Sequence, residues 1–172
     1  MSHKIYLGID NGTTGTIGVT GEGWIPVMVE TPVVKEQSYT KAKNEITRID
    51  HRALRLWLME NVLKKQGFIP SDILAVIERP MINPMRFKAS ISAARSLEST
   101  LCVFEDFGIP LMYVDSRQWQ SVMLPQGCEG KELKKASKDI GCRLFPHLKE
   151  IIGKHKDADG LLISEWARRE RL

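Results

Sequence analysis

Uninterrupted apolar runs alternate with helical stripes along the chain, and their order predicts the architecture. Ile5-Tyr6-Leu7-Gly8-Ile9 is almost wholly apolar and stops at Asp10, the pattern of a buried strand over residues 4–10. Asn11-Gly12-Thr13-Thr14 turns the chain into a second strand at 15–20, Gly21-Glu22-Gly23 is a hairpin turn, and 24–30 reads as a third strand. From 31 to 48 the pattern dissolves among Pro32, charges and polar residues, which predicts an exposed loop. Asp50 is placed to cap a helix in which Leu54, Leu56, Trp57, Leu58, Val62 and Leu63 recur at helical spacing through Lys65. Ile73-Leu74-Ala75-Val76-Ile77 is a second apolar run that ends in a carboxylate, Glu78. Beyond it the pattern predicts a helix over 88–107, a strand over 111–114 and a short helix carrying Trp119. A glycine-containing loop at 125–130 then leads to a basic helix over 132–144, and a final helix spans 157–169. Such an order predicts an α/β fold: a mixed five-stranded sheet, three antiparallel N-terminal strands plus two parallel ones, flanked by helices.

Length and composition narrow this picture without changing it. A chain of 172 residues with 42% apolar and 27% charged residues fits a single soluble domain over 1–172. Lys and Arg exceed Asp and Glu by 25 to 21, and lysines crowd the segment 131–156. Clustered positive charge points to a polyanionic partner, or to a solvated helix face. Cys102, Cys128 and Cys142 are odd in number and far apart, with no zinc-ligand spacing, so neither a disulfide framework nor a structural zinc is expected. No apolar stretch has the length of a membrane span or the form of a secretory signal, and a cytoplasmic location is expected.

Three apolar elements each carry an acid at one end: Asp10, Glu78, and Asp159 within His155-Lys156-Asp157-Ala158-Asp159-Gly160. In a mixed sheet the first two strands can lie side by side, with the last helix laid against their shared rim. Carboxylates gathered there repel one another unless cations neutralise them, and hard oxygen ligands select Mg²⁺ or Mn²⁺. Paired ions in such a cluster activate a water and stabilise the leaving oxygen of a phosphodiester. On the opposing reading, Asp10 is a turn residue, and Asp157 and Asp159 are first-turn acids favoured by the helix dipole.

The ordered set GIDNGTTG, VIERP and KHKDADGLLISEWARR resembles the RuvC-type Holliday junction resolvases of the ribonuclease H-like superfamily, with most likeness to their chloroplast and phage branch. Val114-Asp115-Ser116-Arg117-Gln118-Trp119 and the basic helix ending in Leu144-Phe145-Pro146 are further matches. The resemblance covers most of the chain and is weakest between Gly21 and Gln66. It implies that Asp10, Glu78 and Asp159 are metal-binding catalytic carboxylates. Many relatives carry Asp or His three residues before the last acid, where this chain has Lys156; the chloroplast branch has His four before it, where this chain has His155. His155 is therefore the expected fourth member, as ligand or proton carrier, on one helical face with Asp159. Asp157 is the rival, and fits only if the helix begins after it.

The resemblance also implies a homodimeric, Mg²⁺-dependent endonuclease making paired symmetric nicks in four-way DNA junctions, in the cytoplasm of a bacterial or phage-infected cell. Lys131, Lys134, Lys135 and Lys138 are spaced to form one basic stripe for phosphate contacts, and Arg86, Lys88 and Arg95 extend the DNA surface. Met81 and Phe87 are candidates to wedge between bases at an opened junction. The dimer face is expected on helix 88–107, whose Ile91, Ala94, Leu97, Leu101 and Phe104 make an apolar stripe that must also cover the sheet. Other branched DNA, flaps and RNA–DNA hybrids are alternative substrates. LGIDNGTTGT also resembles the first phosphate motif of actin-like sugar kinases, but 172 residues leave no room for their second domain. A third reading is a junction-binding protein without cleavage, which the intact acids oppose.

Overall fold

The computed structural model describes residues 5–38, 41, 44–64 and 69–172. Its strands are β1 (Ile5–Ile9), β2 (Thr16–Gly21), β3 (Val27–Glu30), β4 (Val33–Gln37), β5 (Glu45–Ile49), β6 (Ile73–Glu78) and β7 (Leu111–Val114). Its α-helices are α1 (His51–Leu58), α2 (Phe87–Asp106), α3 (Ser116–Met123), α4 (Lys131–Leu144), α5 (Lys149–Lys154) and α6 (Asp159–Glu170). Five strands form one mixed sheet in the order β3-β2-β1-β6-β7, with β1–β2 and β2–β3 antiparallel and β1–β6 and β6–β7 parallel. The expected five-stranded sheet is thus present, with both its antiparallel and its parallel half.

Side-chain alternation divides the core into two layers. Ile5, Leu7, Ile9, Ile73, Ala75 and Ile77 face α1 and α2, meeting Leu54, Leu58, Val103 and Phe104. Tyr6, Leu74, Val76 and Val114 face the opposite way, onto Trp119 of α3 and Leu161, Leu162 and Trp166 of α6. On this second side the packing is backbone against backbone. Gly8 and Gly18 are cross-strand partners. A Cβ on Gly8 would lie 2.2 Å from the Gly160 carbonyl oxygen, and one on Gly18 would lie 2.2 Å from the Leu161 Cα. Gly160 answers from the helix, where a Cβ would come 2.3 Å from the Thr16 carbonyl oxygen. Three missing side chains therefore let α6 sink onto β1 and β2.

Several expectations change. The segment 31–48 is not a loop: β4 and β5 pair antiparallel as a separate two-stranded sheet, from Val33↔Ile49 to Gln37↔Glu45. Its β-branched Val33, Val34, Ile46, Thr47 and Ile49 favour strand, but mostly exposed flanking charges conceal the alternation. Residues 39, 40, 42 and 43 lie outside the described residues, as does Lys65, where the first helix was expected to end. The third strand is shorter than expected, beginning at Val27, and α1 continues as a π-helical turn over Met59–Leu63. The stretch before the last helix contains α5, which the pattern missed, and α6 starts at Asp159 rather than 157. The apolar stripe on α2 is divided: Phe104 is in the core, Leu97 and Leu101 pack against it, and Ile91 and Ala94 are exposed. Cys102, Cys128 and Cys142 are free thiols. Among the described residues, no helix is long and apolar enough to cross a membrane.

Candidate metal centre

Strand parity brings the first two acids together. Tyr6, Gly8 and Asp10 share one face of β1 and its extension, while Leu74, Val76 and Glu78 share the same face of β6. Because Ile9 pairs with Ile77 in parallel register, Asp10 and Glu78 follow at the same rim, on the side covered by α3 and α6. The Asp10 N–H donates to the Thr16 carbonyl at 3.0 Å, which closes the Asn11–Gly15 turn. Gly15 presses on that point: a Cβ there would lie 1.9 Å from the Asp10 carbonyl oxygen and 3.3 Å from Oδ2. This glycine seats Asp10.

α6 delivers the remaining acids. The Gly160 N–H donates to Thr16 Oγ1 at 3.1 Å, tying the first turn of the helix to β2. Ser137 of α4 is fully buried, accepts from the Ala158 N–H at 3.0 Å and donates to Asp159 Oδ1 at 2.5 Å. Asp157, 1% exposed, precedes the helix and accepts from the Asp159 N–H at 3.4 Å. Asp10, Asp157 and Asp159 each offer one carboxylate oxygen, and the three oxygens all lie within 4.8 Å of one another. Glu78 stands beside this trio, its Oε2 accepting from the Trp119 indole N–H at 2.9 Å.

Burial is the main reason these carboxyls are hard to ionise. It raises Glu78 to about 7 against the opposing Trp119 hydrogen bond, with Asp10 and Asp157 adding to the rise. It raises Asp159 to about 7 as well, helped by Asp157, Asp10 and Glu78 and opposed by the Ser137 hydrogen bond. Asp10 is raised by burial and Asp157, with Lys156 and Lys134 pulling the other way. Burial would lower the Lys156 ammonium, but Asp10, Asp157 and Asp159 outweigh it and hold the proton on. Asp157 Oδ2 is buried and accepts no hydrogen bond. Oxygens on opposite sides of a Mg²⁺ are about 4.2 Å apart. The trio is therefore close to the span of one ion, the donors are hard oxygens, and a buried carboxylate oxygen is left without a hydrogen bond, with the Lys156 ammonium 3.6 Å away: the residues fit Mg²⁺ or Mn²⁺.

His155 is not brought to this cluster. It is the extended cap residue that ends α5, with φ −94° and ψ 165°, so it shares no helical face with Asp159. Its Nδ1 faces Glu30 Oε1 at 3.7 Å. The helix begins after Asp157, the condition under which that residue could join the acids. Lys131, Lys134 and Lys135 are exposed on α4, whereas Lys138 Nζ donates to the Gly153 carbonyl at 2.9 Å. Arg86 and Met81 line a cleft of about 550 Å³ that contains Asp10, Glu78 and Asn11. Lys88 and Phe87 are exposed at the start of α2, and Arg95 is half-buried in a separate cleft against β4 and β5. Sequence reasoning missed Ser137, the indole contact of Trp119, and Asn11, whose Oδ1 is buried without a hydrogen bond. Only the position of Ser137 between Lys134 and Lys138 hinted that the basic helix also reaches the acids.

No protein-family model and no curated protein matches the chain. Among solved structures it is similar to RuvC of Thermus thermophilus in complex with Holliday junction substrate, with a TM-score of 0.54 at 16% identity, covering 98% of this chain and 96% of that one. Another Thermus thermophilus RuvC structure aligns over 96% of each chain with a TM-score of 0.48 and 16% identity. The first superposition spans the mixed sheet and its flanking helices, and the chain therefore has the ribonuclease H-like fold found in RuvC.

Proposed function

We propose that this chain, as a single catalytic domain acting in a homodimer, is a divalent-metal-dependent endonuclease that resolves four-way DNA junctions by paired symmetric nicks. The observation that carries the reading is the convergence of Asp10, Asp157 and Asp159 oxygens within 4.8 Å, beside Glu78, at one rim of a ribonuclease H-like sheet. The RuvC structure it superposes on is a complex with Holliday junction substrate, which favours branched DNA over other nucleic acids.

Asp10, Asp157 and Asp159 are the proposed ligands. When bound, Mg²⁺ or Mn²⁺ would supply an activated water and charge stabilisation at the phosphoryl group. Glu78, oriented by Trp119, completes the acidic rim, either as a further ligand or in orienting the attacking water. Exposed Lys131, Lys134 and Lys135 on α4 contact the phosphate backbone, and Arg86 and Lys88 extend that contact past the cleft. Met81, 80% exposed in the same cleft, and Phe87, 69% exposed at the start of α2, are the side chains that would stack on bases opened at the crossover.

The test is purified protein with Mg²⁺ on a mobile four-way junction, a flap and an RNA–DNA hybrid. Paired nicks on opposed strands of the junction, lost in Asp10→Asn and Asp157→Asn with binding retained, support the reading. Full nicking by His155→Ala is expected. Preferential cleavage of the hybrid, or nicking untouched by Asp10→Asn, would overturn it.

A further inference from the structure

The acids divide into two pairs by what faces them. Glu78 and Asp159 meet neutral donors, the Trp119 indole and the Ser137 hydroxyl. Asp10 and Asp157 meet a cation belonging to the chain itself. Lys156 Nζ lies 3.6 Å from Asp10 Oδ2 and 3.6 Å from Asp157 Oδ2, and donates to Thr14 Oγ1 at 3.3 Å. Thr14 belongs to the turn that Gly15 closes onto Asp10, so the ammonium is held between that turn and the two carboxylates.

The placement has a consequence for metal content. Four carboxylates carry a formal charge of −4, and two divalent ions would balance it with no help from the protein. Here one positive charge is already supplied, on a side chain only 37% exposed. A divalent ion held by Asp10 Oδ2 and Asp157 Oδ2 together would need bonds of about 2.1 Å to each. It would then crowd an ammonium that faces the same two oxygens. The ion pairs that Lys156 makes with the cluster are to one oxygen of Asp10 and one of Asp157, the Oδ2 atom of each.

We infer that Lys156 takes the place of one of two metal ions, so that each centre binds a single divalent ion. The inference rests on the metal-centre reading above and adds the stoichiometry. Lys156 acts as a fixed counter-charge between Asp10 and Asp157, positioning both carboxylates. A neutral side chain at 156 opens the second place, and an arginine keeps it closed.

Isothermal titration of the full chain with Mn²⁺, paired with electron paramagnetic resonance of the loaded protein, tests this. Wild type and Lys156→Arg should bind one Mn²⁺ per chain and give an uncoupled spectrum. Lys156→Met and Lys156→Gln should bind two, with the spin coupling expected of ions about 3.5–4 Å apart. Two coupled ions in wild type, or a single ion in both neutral variants, would overturn the assignment while leaving the metal centre standing. Absence of Mn²⁺ binding in all four proteins would overturn the metal centre and this inference together.

Discussion

Ser137 serves two partners through one oxygen, accepting from the Ala158 N–H and donating to Asp159 Oδ1. Ser137→Ala leaves a buried N–H without an acceptor, at a cost of about 1–3 kcal/mol in unfolding free energy. It also frees Asp159 to turn, and Mn²⁺ affinity should fall roughly 10–100-fold, the usual penalty for removing a group that orients a ligand. Denaturant titration and calorimetry read the two losses separately. Protonation gives a second residue-level prediction. Glu78 rises from 4.5 to about 7 and Asp159 from 3.8 to about 7 on folding, so the folded chain keeps protons that the unfolded chain releases. Their contribution to stability is complete below about pH 4 and is lost as pH climbs through 7. The metal-free protein should therefore melt at lower temperature near pH 8 than near pH 5, and saturating Mg²⁺ should reduce that slope; a metal-free melting temperature that rises over this range would contradict it. The acids themselves were legible because each ends or opens an apolar element. Their donors were not, since Trp119 and Ser137 read as ordinary core and helix residues until tertiary contact gives them a partner.

At the scale of elements, the seam between α6 and the β1–β2 pair decides whether the acids meet. Gly18→Ala would set a Cβ 2.2 Å from the Leu161 Cα, with backbone on both sides and no flexible side chain to yield. Overpacking of this kind costs about 1–3 kcal/mol or more, and for a chain of this size each kcal/mol lowers the melting temperature by about 2–4 °C. The same displacement lifts Asp159 away from Asp10, so Mn²⁺ binding should weaken even in chains that remain folded; a variant with wild-type affinity would show that the close seam is not what sets the site. Helix boundaries explain why His155 does not share a helical face with Asp159. Periodicity carried the last helix back to 157, but α5 ends at Lys154 and α6 opens at Asp159; over the non-helical residues between them Asp157 is buried and His155 faces Glu30. The expected shared helical face of His155 and Asp159 needed the helix to reach back to 155, and it does not. The β4–β5 hairpin was missed for a related reason: it is covered on little of its surface, so hydrophobic alternation had little to record.

Over the whole molecule a net charge of +4 is small, and its distribution matters more than its size. α4 joins the acidic cluster to a basic face, since Ser137 reaches the acids while Lys131, Lys134 and Lys135 stay exposed on the same helix. Replacing Lys134 or Lys135 by Ala should weaken junction binding without sequence preference and reduce the slope of log affinity against log salt by about 1 for each phosphate no longer neutralised. Lys138→Ala should change that slope least, because its ammonium is bonded to the Gly153 carbonyl. Salt titrations of binding to an intact junction distinguish these outcomes. The sheet order and the rim on which the acids lie were legible from two apolar runs with the same ending. The distance between Asp10 and Asp159 was not, because 148 residues of chain stand between them. That separation, closed by the three glycines of the α6 seam, also orders events in time. As a ribosome extends the chain, β1, β2 and β6 can pair long before residues 157–170 emerge, but the early strands then hold only Asp10 and Glu78. No partly made protein can assemble the full acidic set, so the proposed capacity to cut nucleic acid would arise only when the late helix seats, and a stalled product would hold an incomplete metal centre.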